Sequence, residues 1–197
     1  MRSKVTIILY LTFMLFSTTA CAATFKGRVI DADTKEPIEG AVVVASWNEE
    51  RATVSGPSSR LKDVKETLTD KNGQWVIRGP RGMEGGNITA IFTFLTGTYY
   101  TRPPEFIIFK PGYCSWPAGF GIDACKGKMK GYGKNYHRAI SEIIELPKLT
   151  EREDRLRARR IGPIFSYDKE REAEIMKKQK NFIRLLNQER KFLGLDE

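Results

Sequence analysis

From residue 25 to residue 146 the hydrophobic positions fall into short runs separated by turn residues. The runs are FKGRVIDA, AVVVASW, VKETLT, QWVIRG, ITAIFTFL, EFIIFK and RAISEIIEL. Each is rich in Val, Ile, Phe or Thr and bounded by Gly, Pro, Asn or Asp, which predicts seven strands of an all-β sandwich. In QWVIRG, Trp75 and Ile77 share one face while Gln74, Val76 and Arg78 share the other, so that strand has a wet side. AVVVASW has no wet side and reads as a central strand buried on both faces. In VKETLT, Val64, Glu66 and Leu68 alternate less cleanly, as expected of an edge strand. NEERATVSGPSSRLKD reads as a polar loop between two strands.

The period changes after Pro147. LTEREDRLRARR is a dense charge run, read as a solvated helix face, and Gly162-Pro163 follows it. From Asp168 the apolar positions Ile175, Phe182, Leu186 and Leu193 recur at helical spacing, with Met176 and Ile183 beside them and Lys and Arg opposite. One basic amphipathic helix of about 25 residues is predicted, capped by Asp168 at its start and by Gly194-Leu195 at its end. It is expected to dock on the sandwich or to self-associate, and its basic side offers a contact element for a partner.

At the other end, Arg2 and Lys4 precede the apolar run VTIILYLTFMLF and the small-residue stretch STTACAA. This is the pattern of a secretory signal, and the run is too short to cross a bilayer. The organisation expected is therefore a signal peptide at 1–23, a sandwich domain at 24–147, and a charged linker with a C-terminal helix at 148–197. Ala20-Cys21-Ala22 fits ordinary signal cleavage. Thr18-Thr19-Ala20-Cys21 offers lipidation of Cys21 as the alternative, weakened by Thr18 where a lipobox carries Leu. The location expected is the periplasm or cell envelope.

Charge narrows the partners. Removing Arg2 and Lys4 with the signal lowers the formal charge from +9 to +7, which favours an anionic surface such as lipid headgroups or polysaccharide. Nucleic acid is not expected to meet an exported protein. Cys114 and Cys125 form an even pair eleven apart and are expected to close a disulfide loop. A metal site is not expected from them, because neither a CxxC pair nor a His cluster is present to complete it.

Catalytic motifs are missing from the text. The single histidine, His137, lies in GKNYHRAI, which resembles no nucleophile motif, and there is no GxSxG, HExxH, Walker loop or strand-borne GxGxxG. No enzyme activity and no cofactor are expected. A carbohydrate-binding role is the alternative, with Trp116, Phe120, Tyr132 and Tyr136 as ring platforms and Lys126, Lys128, Lys130, Lys134 and Arg138 around them. Asn87-Ile88-Thr89 matches a glycosylation sequon by three residues only. Asp31, Asp33 and Glu36 lack the spacing of a calcium loop, and their short side chains are read as starting a turn that Pro37 and Gly40 complete.

The segments GRVIDADTKEPIEGAVVVASW, ETLTDKNGQWVIRG and IIFKPGY together resemble the carboxypeptidase regulatory-like domain. The matching residues are Gly27, Val29, Asp31, Pro37, Gly40, Ala41, Val43, Thr69, Asp70, Gly73, Trp75, Gly112 and Tyr113. The resemblance implies a seven-stranded, transthyretin-like (prealbumin-like, Greek-key) sandwich, non-catalytic and accessory to a larger enzyme or to cell-envelope proteins. Its motifs are structural turns, so they specify a fold better than an activity. No zinc motif accompanies them, and the disulfide loop and C-terminal helix are additions. The reading of the sequence is an exported, non-enzymatic interaction module of the cell envelope.

Overall fold

A computed structural model describes residues 22–81, 95–117, 125, 143–159 and 161–195. Among them the chain is mostly β, with two sheets and three helices. The strands are β1 (Thr24–Asp31), β2 (Val42–Arg51), β3 (Ser58–Leu68), β4 (Gln74–Arg78), β5 (Tyr100–Thr101), β6 (Glu105–Phe109) and β7 (Ile143–Leu146). The helices are α1 (Arg152–Ala158), α2 (Lys169–Lys177) and α3 (Lys180–Phe192). One sheet has the order β4-β1-β7, with β7 parallel to β1. In the other, β2 pairs with β3 on one side and with β5 and β6 on the other. Six of the seven expected runs coincide with strands. The other, ITAIFTFL, lies outside the described residues except for Leu95.

The sheets face each other across one apolar core. Phe25, Val29, Trp75 and Ile77 from the first sheet meet Val43, Ala45, Trp47, Phe106 and Ile108 from the second. Phe106 stacks edge-on against Phe25 and tilts onto Trp75, with centroids 5.7 and 5.5 Å apart. As the alternation predicts, Gln74, Val76 and Arg78 point out to solvent. Residues 112–116 tie the layers together at one side. The Cys114 N–H donates to Pro147 O at the end of β7, while Ile108 of β6 and Trp116 exchange two backbone hydrogen bonds of 2.7 and 2.8 Å. Cys114 and Cys125 stand at disulfide distance, fully buried in this core.

The outer face of the second sheet is covered by helices. Val42 and Val44 of β2, Val64 of β3 and Phe109 of β6 pack against Ile175 of α2 and Phe182, Leu185 and Leu186 of α3. This explains why AVVVASW has no wet side: Val43 and Ala45 enter the inner core, and Val42 and Val44 meet the helices. Burying each large side chain of this layer is worth about 1.5–3 kcal/mol. The expected docking of the C-terminal segment is therefore what the fold shows.

Three sequence expectations need correction here. The single long helix is two helices, broken at Gln179, whose backbone leaves the helical region (φ −120°). Gln179 is fully buried: its Oε1 accepts from Ile164 N, and its Nε2 donates to Ile164 O, both at 2.8 Å, and to Ile175 O. The polar loop at 48–63 is largely strand, because β2 runs on to Arg51 and β3 starts at Ser58. The extension is held by the pairs Glu49–Arg60 and Glu50–Arg102 and by Tyr99, which lies beneath the guanidinium groups of Arg51 and Arg60. Finally, the charge run at 151–160 is not simply solvated. Arg155 of α1 makes a two-pronged 2.7 Å bond to Glu189 of α3, which is 2 % exposed, and Ala158 enters the inner core.

Glu66 accounts for the imperfect alternation of β3. Its carboxylate accepts the N–H groups of Asn181 and Phe182, at 2.8 and 2.9 Å. These are second and third residues of α3, so a strand residue supplies the cap that Gln179 does not. β3 does lie at a sheet edge, and α2 covers that edge. Arg171 donates to the carbonyls of Leu61 and Lys62 where the register skips Lys62, and Lys178 bonds Asp63.

Candidate functional site

The acidic corner is structural. Asp31 Oδ1 accepts from the N–H groups of Asp33 and Thr34, and Tyr113 donates its hydroxyl to Oδ2 at 3.2 Å. Burial pushes the Asp31 carboxyl up, but these donors and the charge of Lys148 outweigh it and hold it below the ordinary value. Thr69 receives the other side of the corner, accepting from Ala41 N and donating to Ile38 O. Asp70 closes the next hairpin by accepting from Asn72 N and Gln74 N, with Gly73 at φ +72°. Among the described residues no group of His, Cys, Asp and Glu is placed to hold a metal ion.

Of the ring platforms expected from sequence, Trp116 is half-buried and packs its ring against the inner core beside the disulfide. Phe120, Tyr132 and Tyr136 lie outside the described residues, as do Cys21, His137 and the sequon at Asn87. Of the expected ring set the described residues therefore include Trp116 alone, partly buried against the core.

A different concavity opens on the outer face of the second sheet, beyond the end of the helices. It is a groove of about 650 Å³. Its position follows from the sequence of β2. The positions of this strand that face the helix side run Val42, Val44, Ser46, Asn48, apolar where α2 and α3 cover them and polar where they stop. Ser59 and Leu61 of β3 and Glu105 and Ile107 of β6 complete the floor. One wall is the segment 164–167, where Ile164 is fastened by Gln179 and the rings of Phe165 and Tyr167 are exposed, Tyr167 completely. Pro117, inside the disulfide loop, borders the groove elsewhere.

The chemistry of this groove is mixed. Among the described residues the side chains of Asn48, Ser59 and Glu105 make no hydrogen bond, so an amide, a hydroxyl and a carboxylate remain available to a ligand. Arg60 contributes a cation at the rim while bonded to Glu49 at 2.6 Å and lying 4.1 Å over the Tyr99 ring. The groups whose protonation is displaced are occupied elsewhere. Burial, then the Glu50 carboxylate, holds the Tyr100 hydroxyl above its usual range. Bonds to Asp63 and Glu174 raise Lys178.

Sequence reasoning passed over IFSY at 164–167 as linker. The signal was present, in two aromatic residues between Gly162-Pro163 and a helix cap, and in the change from valine to serine and asparagine along β2. Comparison with family models, with curated proteins and with solved structures finds no match for the chain.

Proposed function

We propose that the chain is a non-catalytic, exported β-sandwich of transthyretin-like topology, serving as a binding module of the cell envelope, and that its groove takes a saccharide. The observation that carries this reading is the pairing of free polar side chains on the groove floor with exposed rings on its wall. A sugar ring offers hydroxyls around its edge and apolar C–H faces, so it uses both features at once. Asn48 and Ser59 supply neutral donors and acceptors, Glu105 accepts from hydroxyls, and Tyr167 and Phe165 stack. The turn knots at Asp31, Thr69 and Asp70 support the sandwich part of the reading, because the residues that resemble the regulatory-like domain serve here as turn-closing groups. The signal at 1–23 and the cysteine pair support export.

A glycan array with wild type and the variants Tyr167→Ala, Phe165→Ala and Asn48→Ala tests the groove. Retention of one glycan class by wild type is expected, weakened about tenfold in each variant, which corresponds to about 1.4 kcal/mol. Melting temperatures should stay unchanged, because the two rings and the amide have no internal role. Trp116→Ala should instead lower the melting temperature. The groove assignment is overturned if wild type retains no glycan, or if retention survives all three substitutions.

A further inference from the structure

The side of α2 and α3 that faces away from the sheet is basic. Lys177, Lys180, Arg184 and Lys191 are exposed and, with Asn187, follow one another at alternating three- and four-residue steps, which keeps them along one line. Met176, Lys177, Lys180, Ile183, Arg184 and Asn187 form one continuous surface with a shallow dimple, so the line survives the break at Gln179. From Lys180 to Lys191 it runs about 16 Å at 1.5 Å per residue. Among the described residues none of the four cations has an acidic partner. The acids of these helices are placed elsewhere: Glu170 and Glu172 lie in the first turn of α2, Glu174 is bonded to Lys178, and Glu189 is buried against Arg155.

From this we infer that the outer face of α2 and α3 is an adsorption surface for an anionic phospholipid bilayer. The cations stand along one helical face with only a shallow dimple, which meets a planar sheet of charge but has no cleft to enclose a single flexible chain. The apolar stripe of the same helices is spent on Val42, Val44 and Phe109, so along the basic line the apolar side chains left are the half-buried Met176 and Ile183, while the exposed Phe192 ring lies against the Arg155 guanidinium. Adsorption is therefore electrostatic and salt-sensitive, without insertion of a helix. This surface is separate from the groove, and its test is independent of any glycan.

The experiment is vesicle flotation of the protein in a Cys21→Ser background, so that no lipid anchor contributes. The probes are vesicles of phosphatidylcholine with 30 mol % phosphatidylglycerol, vesicles of phosphatidylcholine alone, and soluble alginate. Wild type should float only with the anionic vesicles and release at high salt. The fourfold variant Lys177→Gln/Lys180→Gln/Arg184→Gln/Lys191→Gln should lose on the order of a hundredfold or more in partitioning, at about fivefold per cation. A control with the same charge change on the opposite sheet, Lys26→Gln/Lys71→Gln/Arg78→Gln/Arg81→Gln, should still float. Far-ultraviolet dichroism establishes that all variants are folded. The inference is overturned by absence of flotation in wild type, by equal loss in the control, or by binding that depends on the four cations for alginate but not for vesicles.

Discussion

Replacing Gln179 by leucine isolates the device that holds the groove wall. Leucine keeps most of the volume in a fully buried position but leaves the Ile164 N–H, the Ile164 carbonyl and part of the Ile175 carbonyl without their partner. Each buried polar group left unpaired costs about 1–3 kcal/mol. Ile164 is half-buried, so water can reach part of the strand-like pairing once it loosens. The expected destabilisation is thus about 2–4 kcal/mol, measured as a lowered urea midpoint at unchanged slope. The segment 161–167 should also become the first site of cleavage in limited proteolysis. Gln179→Glu keeps the acceptor for Ile164 N but sets a carboxylate against the Ile164 carbonyl, and should be at least as harmful. A loss below about 0.5 kcal/mol for the leucine variant, with no new cleavage, would refute the claim that this one amide fastens the wall.

Glu66→Ala should cost about 1–2 kcal/mol, the worth of a helix cap, and should speed hydrogen exchange at Asn181 and Phe182, while Glu66→Gln recovers part of both. Gly73→Ala should be severe, about 3 kcal/mol, because the new Cβ would lie 2.2 Å from Val29 O at φ +72°; a melting temperature within 2 °C of wild type, read as roughly no effect, would contradict it. The Asp31–Tyr113 pair makes stability fall at both ends of the pH scale. Asp31 has its carboxyl held below the ordinary 3.8, so its contribution is full above that value and is lost as pH drops through the lower folded value. Tyr113 has its hydroxyl pushed above the ordinary 10.0 by burial and by Asp31, so its contribution is full below 10.0 and is lost as pH rises beyond it. Asp31→Asn should flatten the acid limb of a stability-pH profile and leave neutral pH destabilised.

What was legible in the sequence is what local chemistry decides. The Asp, Thr and Gly residues of the turns act within a few positions of themselves, and strand alternation reports the inner core directly. What escaped depends on contacts far along the chain. Glu66 looked like a flaw in an edge strand because its purpose lies at Asn181 and Phe182. The helix break at Gln179 could not be read from a period that continues across it, since the amide is bent away by a backbone partner at Ile164. The groove escaped for a related reason. Ser46 reads as the end of a buried strand and Asn48 as the start of a polar loop until the helices are seen to stop short of them.

The outer helical layer has a consequence for the order of synthesis. Val42 and Val44 belong to the first quarter of the chain, but the side chains that cover them emerge at its end; Glu66 and Phe182 are 116 positions apart. Such separations slow folding, because a long loop must close before any contact rewards it. A chain emerging N-terminus first during synthesis therefore carries an uncovered valine face until α3 has emerged. During that interval the exposed face is open to wrong association, and any product truncated before α3 keeps it exposed.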